Sequence, residues 1–65
     1  MNFYNKNAKK VYKYIYIHDD ETILQADIAD ETGLTRQTVS KYIKWLQKRN
    51  LITVTGKHFK INSME

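Results

Sequence analysis

Sixty-five residues without cysteine or proline make one small domain, residues 1–65, that buries only about 60% of its unfolded surface and has neither a disulfide framework nor a thiolate metal site to reinforce it. No apolar run nears the roughly 18 residues of a membrane span, and Met1-Asn2-Phe3-Tyr4 does not open a secretory signal, so a soluble, cytoplasmic protein is expected. The net charge of +4 is modest, yet the signs are segregated: four lysines and no acid in residues 1–18, six acids and no Lys or Arg in 19–31, seven Lys or Arg and no acid in 32–60. Interspersed signs would suit an ordinary solvated surface. Segregation favours one strongly positive side, as a polyanion binder needs.

Tyr4, Ala8, Val11 and Ile15 recur at helical spacing and predict a first helix from about Asn5 to Ile17. At ~100° per residue, Lys6, Lys9, Lys10 and Lys13 fall on the opposite side. Tyr14 and Tyr16 fit neither stripe, so at least one is expected to stay partly exposed. The polar run His18-Asp19-Asp20-Glu21-Thr22 reads as a loop, and Ile23-Leu24 as one brief strand. A short helix from about Gln25 to Thr32 buries Ile28 and Ala29; the small side chain of Ala29 lets two helices cross closely. Gly33 suits a left-handed helix end, Leu34 plugs the core beneath the turn, and Thr35 can cap the next helix.

The third helix is predicted from about Arg36 to Arg49. Relative to Val39, Ile43 and Leu46 lie within ~40° and Tyr42 on one shoulder, while Gln37, Lys41, Lys44 and Lys48 cluster opposite, with Ser40 at their margin. Trp45, some ~120° from Val39, sits at the edge of the core, either packed on the hairpin or first helix or used in a dimer contact. Asn50 is a plausible helix stop, and Leu51 and Ile52 return to the core. Alternation of Ile52 and Val54 with Thr53 and Thr55, then of Phe59-Lys60-Ile61-Asn62 after Gly56-Lys57-His58, predicts a hairpin with glycine in its turn. Its apolar face must pack on the helices. Ser63, Met64 and Glu65 are expected to fray.

The segment from Gln25 to Lys44, with Ala29, Gly33 and Val39 as its small, turn and core positions, resembles the helix-turn-helix unit of DNA-binding proteins. The order helix, short strand, helix, helix, hairpin is similar to the winged helix-turn-helix family. Thr35 through Ile43, followed by Leu46 and Asn50-Leu51-Ile52, resembles small bacterial and phage regulators of that family. The resemblance implies a mainly α fold: three helices plus a two- or three-stranded antiparallel wing sheet, with the helix-turn-helix at about 25–49 and the wing at about 52–62. Thr32, where leucine is common, and the shortness of the wing depart from the family pattern.

In that family the third helix enters the major groove. Carried over by position, Arg36, Gln37, Ser40 and Lys41 become base-contact candidates, with chemistry suited to guanine and adenine edges. Thr35, Thr38, Lys44 and Lys48 become backbone-contact candidates, as do Lys57, His58 and Lys60 on the wing. The acidic stretch should face away from DNA. Lys9, Lys10 and Lys13 are not assigned to DNA, since the first helix in that family often supports the fold or a dimer contact, and Tyr14, Tyr16 and Trp45 are the candidate dimer residues. His18 and His58 lack the partners a metal site needs. No phosphate loop, cysteine nucleophile or Ser/His/Asp arrangement suggests an enzyme, and no cofactor or small-molecule ligand is expected. The expected function is sequence-specific binding of double-stranded DNA by a small transcriptional regulator, as a homodimer or cooperative assembly on repeated half-sites. Two alternatives stay open: a replication or recombination accessory or architectural factor of a mobile element, and a winged-helix module for protein–protein contact.

Overall fold

Asn5 starts the first helix in the way its side chain allows. Its backbone is extended and its Oδ1 accepts from the amides of Asn7 and Ala8, satisfying donors that helix geometry leaves without partners. The computed structural model describes residues 5–62. Among these, α1 spans Lys6–Ile17, β1 Glu21–Thr22, α2 Gln25–Thr32, α3 Arg36–Lys48, β2 Ile52–Thr55 and β3 His58–Ile61. The expected mainly helical fold with an antiparallel sheet is present, and the sheet has three strands in the order β1-β3-β2.

The apolar face of α1 is as its spacing predicts: Ala8, Val11 and Ile15 are fully buried, while Lys6, Lys9, Lys10 and Lys13 are exposed. Tyr4, assigned to the same face, lies outside the described residues, as do Ser63, Met64 and Glu65. Tyr14 is half-buried against the core and Tyr16 is exposed. Ile28 and Ala29 of α2 are buried. Gly33 then ends that helix at φ 75, in the left-handed region, with its amide donating to the Ala29 carbonyl. Thr32 sits half-buried because its hydroxyl donates back to the Ile28 carbonyl at 2.6 Å, which satisfies the polar atom where the family pattern has leucine.

One expectation needs correcting. The short first strand is Glu21–Thr22, inside the run read as a loop, and not Ile23-Leu24. Pairing with β3 fixes it there, Glu21 opposite Phe59 and Thr22 opposite His58. Ile23 is buried, but Leu24 is 48% exposed and serves as the backbone cap of α2.

The hairpin closes through Gly56-Lys57, with Thr55 opposite His58. Gly56 has φ 63 and Lys57 is not in the positive region, the pattern of a II′ turn, which needs glycine at its first central position. His58 therefore opens β3 and is not part of the turn. Phe59 drives the sheet onto the helices, at 2% exposure, and joins Val39, Ile43, Leu46, Leu51 and Ile52 in a single core with α1 and α2. Burying a side chain of that size contributes about 1.5–3 kcal/mol. Asn50, at φ 61, turns the chain from α3 into β2, a conformation asparagine tolerates better than most residues.

Candidate nucleic-acid interface

Thr35 fixes the start of α3. Its Oγ1 accepts from the Thr38 amide at 3.1 Å and donates to the Thr38 hydroxyl at 2.9 Å. Both threonines are thus held at the helix N-terminus, the end that favours anions. Val39, Tyr42, Ile43 and Leu46 bury one side of the helix, so its opposite side must face outward. Gln37, Lys41, Lys44 and Lys48 are exposed there and Ser40 is half-buried.

A shallow depression of ≈ 520 Å³ is lined by Gln37, Ser40, Lys41, Lys44, Trp45 and Lys48. It brings together most of the residues expected on α3, and no carboxylate lines it. Trp45 is half-buried against the core and presents part of its indole to this depression. The Arg49 guanidinium lies 4.6 Å from the centre of the Trp45 ring, and the Lys41 ammonium 5.6 Å from that of Tyr42. Arg49 is a participant that sequence reasoning missed, although its i, i+4 spacing from Trp45 was the available signal.

Arg36 faces elsewhere. It shares a depression of ≈ 390 Å³ with Lys57, the wing glycine Gly56, and Gln25 and Ala26 at the start of α2. The Lys57 carbonyl accepts from the Ile23 amide at 2.8 Å, which ties the wing turn to the entry of α2 and brings Lys57 beside Arg36. Gln25 and Ala26, at the start of α2, were not anticipated as lining residues.

His58 and Lys60 share one face of β3. The Nε2 of His58 donates to the Asp20 carboxylate at 2.7 Å, since an ionised carboxylate can only accept. That hydrogen bond, and next the charge of Lys60, holds the Asp20 carboxyl below the usual range. Asp20 reaches this place through a left-handed backbone, φ 63, and neighbouring Asp19 accepts from the Ile61 amide at 2.6 Å. Part of the acidic stretch, expected as a whole to face away from DNA, therefore lies along β3, next to the wing cations. Nothing local in sequence signals this clip, because it joins residues 38 and 42 positions apart.

The candidate dimer residues are not brought together. Trp45 belongs to the α3 depression, whereas Tyr14 lines one between α1 and α2 with Ile17. The Tyr16 ring lies 6.2 Å from that of Tyr12. Among the described residues no group of three or more His, Cys, Asp or Glu could hold a metal ion, and no helix is long and apolar enough to cross a membrane.

The family model described as a Crp-like helix-turn-helix domain matches residues 9–65. Regulatory protein HlyX of Actinobacillus pleuropneumoniae is 41% identical over 44 residues, covering 68% of this chain but only 18% of that protein. The chain thus corresponds to less than a fifth of the length of this relative. No solved structure matches the chain significantly. With three helices, a left-handed Gly33 turn and a three-stranded wing sheet in place, the chain belongs to the Crp-like helix-turn-helix domain family, a winged helix-turn-helix family of DNA-binding regulators.

Proposed function

We propose that residues 1–65 act as one unit that binds double-stranded DNA sequence-specifically and regulates transcription, with α3 in the major groove. The observation that carries this reading is the outward side of α3: Gln37, Ser40, Lys41, Lys44 and Lys48 line one acid-free surface directly after the helix-turn-helix turn. Gln37, Ser40 and Lys41 sit within the first two turns of α3, the part of a recognition helix that reaches base edges. Arg36 joins them at the groove edge, where it lines one depression together with Lys57 of the wing. Thr35, Thr38, Lys44 and Lys48 contact the backbone, as do Lys57 and Lys60. His58 contributes through the same face, with Asp20 as its standing partner. The similarity to a protein named as regulatory supports the transcriptional role, and a cytoplasmic, nucleoid-associated location follows from it. The reading assigns no catalytic residue.

One such unit makes few base contacts, so two copies on repeated half-sites supply the specificity. Selection of bound duplexes from a random pool tests the proposal, with stoichiometry measured on the winner. A consensus with repeated half-sites and two chains per duplex is expected. Recovery of a pool with no sequence preference would overturn it.

A further inference from the structure

Arg49 is the C-terminal cap of α3, and its backbone amide donates to the Trp45 carbonyl. The residue is exposed, yet its charge is held in place: the guanidinium lies over the Trp45 ring, 4.6 Å from its centre. Side chains on a helix lean toward its N-terminus, and an i, i+4 pair spans about 6 Å of axis. The contact therefore carries the positive charge back by one turn. It arrives at the wall of the depression that Trp45 shares with Lys41, Lys44 and Lys48. No carboxylate lines that depression, and residues 32–60 contain no Asp or Glu.

Attraction to the face of an aromatic ring needs no hydrogen bond, so the five N–H donors of the guanidinium are not used up by it. Among the described residues Arg49 forms no ion pair and its side chain donates no hydrogen bond. A cation held in place with its donors unspent, beside three lysines and no acid, is built for an anion. A guanidinium takes a phosphate as a fork, with two parallel N–H donors. Arg49 lies about three and a half turns beyond Arg36, outside the part of a recognition helix that reaches base edges. A backbone phosphate, and not a base, is the partner within reach of that end.

We propose that Arg49 binds a phosphate of the DNA backbone at the C-terminal end of α3, and that Trp45 is the residue that positions it. An arginine free to rotate loses that freedom on binding; one already held against an indole has lost much of it before DNA arrives. Trp45 thus acts through Arg49. The phosphate contact presupposes the DNA-binding reading; the held position of Arg49 does not.

Fluorescence anisotropy of a labelled random-sequence duplex, titrated with the full 65-residue chain at several salt concentrations, tests this, because a phosphate contact needs no particular sequence. Circular dichroism checks that each variant folds. Arg49→Ala is expected to bind about tenfold more weakly and to reduce the salt slope by about 1. Arg49→Lys should keep the slope but lose affinity, because the charge stays and the fork goes. Trp45→Leu should weaken the wild-type chain and leave Arg49→Ala unchanged, while Trp45→Phe, which keeps an aromatic face, should lose less. An Arg49→Ala variant that matches wild type in affinity and slope would overturn the phosphate contact. Equal losses from Trp45→Leu in the two backgrounds would overturn the positioning role. A wild-type chain that binds no duplex even at low salt would instead remove the DNA-binding reading, and the Arg49 contact with it.

Discussion

The Asn5 amide caps α1 with its oxygen, and its Nδ2 donates to the Tyr42 hydroxyl at 2.7 Å, linking the start of the first helix to the middle of the third. Asn5→Ala removes both interactions and should cost about 1–2 kcal/mol. Tyr42→Phe removes only the second and should cost about 1 kcal/mol. Urea denaturation of the two variants separates these values; equal losses would mean that the cap contributes nothing. At the DNA face, Arg36→Ala should cost about 1–3 kcal/mol and relax preference at one base position, whereas Lys57→Ala should weaken all duplexes alike and reduce the salt slope by about 1. Competition binding across single-base variants of a selected site distinguishes the two patterns. Because Arg36 lies beside Lys57, a uniform loss for Arg36→Ala would reassign it to the backbone.

Helix ends are where this chain is most readable and strands where it is least. Gly33, Thr35 and Asn50 act through neighbours a few residues away, so their chemistry alone marks the ends of α2 and α3. β1 could not be placed that way, because its position is set by its partner strand far along the chain. Leu24 illustrates the same limit: it is apolar but exposed, since α2 needs an extended residue before it and the core does not need another side chain. A methyl group added at Gly33 meets nothing within 4 Å, so Gly33→Ala should cost only the left-handed backbone, about 1 kcal/mol. Phe59→Ala empties the centre of the core and should cost about 3–5 kcal/mol, near the whole stability of a domain this small. Thermal melts should show a lowered midpoint for the first and little cooperative transition for the second.

The clip between the Asp19-Asp20 turn and β3 belongs to the same scale. A folded-state carboxyl held below its unfolded value adds stability above the unfolded range and loses it as pH falls through the folded value. Acidification should therefore release the turn from β3, and Asp20→Asn should show less of this acid sensitivity. The Asp20 carboxyl carbon signal, followed by NMR against pH, should titrate below the usual range and move up in His58→Ala. An unshifted titration would mean that the His58 contact is not maintained in solution.

For the whole molecule, charge segregation along the chain becomes segregation in space only in part. The outward side of α3 carries lysines with no lining acid, which the helical projection makes legible from sequence. Asp19 and Asp20 form the wing clip, while Glu31 lines the α1–α2 groove, a division that tertiary packing decides and that local spacing cannot reveal. The same packing separates Tyr14 from Trp45, which sequence alone left together as surplus aromatic surface.

The central claim is that the exposed side of α3 reads bases. It is tested most directly by the affinity of the wild-type chain and of Gln37→Ala for a selected duplex and for its scrambled counterpart, at one fixed salt concentration. The account predicts that wild type binds the selected duplex at least about tenfold more tightly, and that Gln37→Ala narrows the gap by weakening the selected duplex more than the scrambled one. Equal affinity of the wild type for the two duplexes would contradict it.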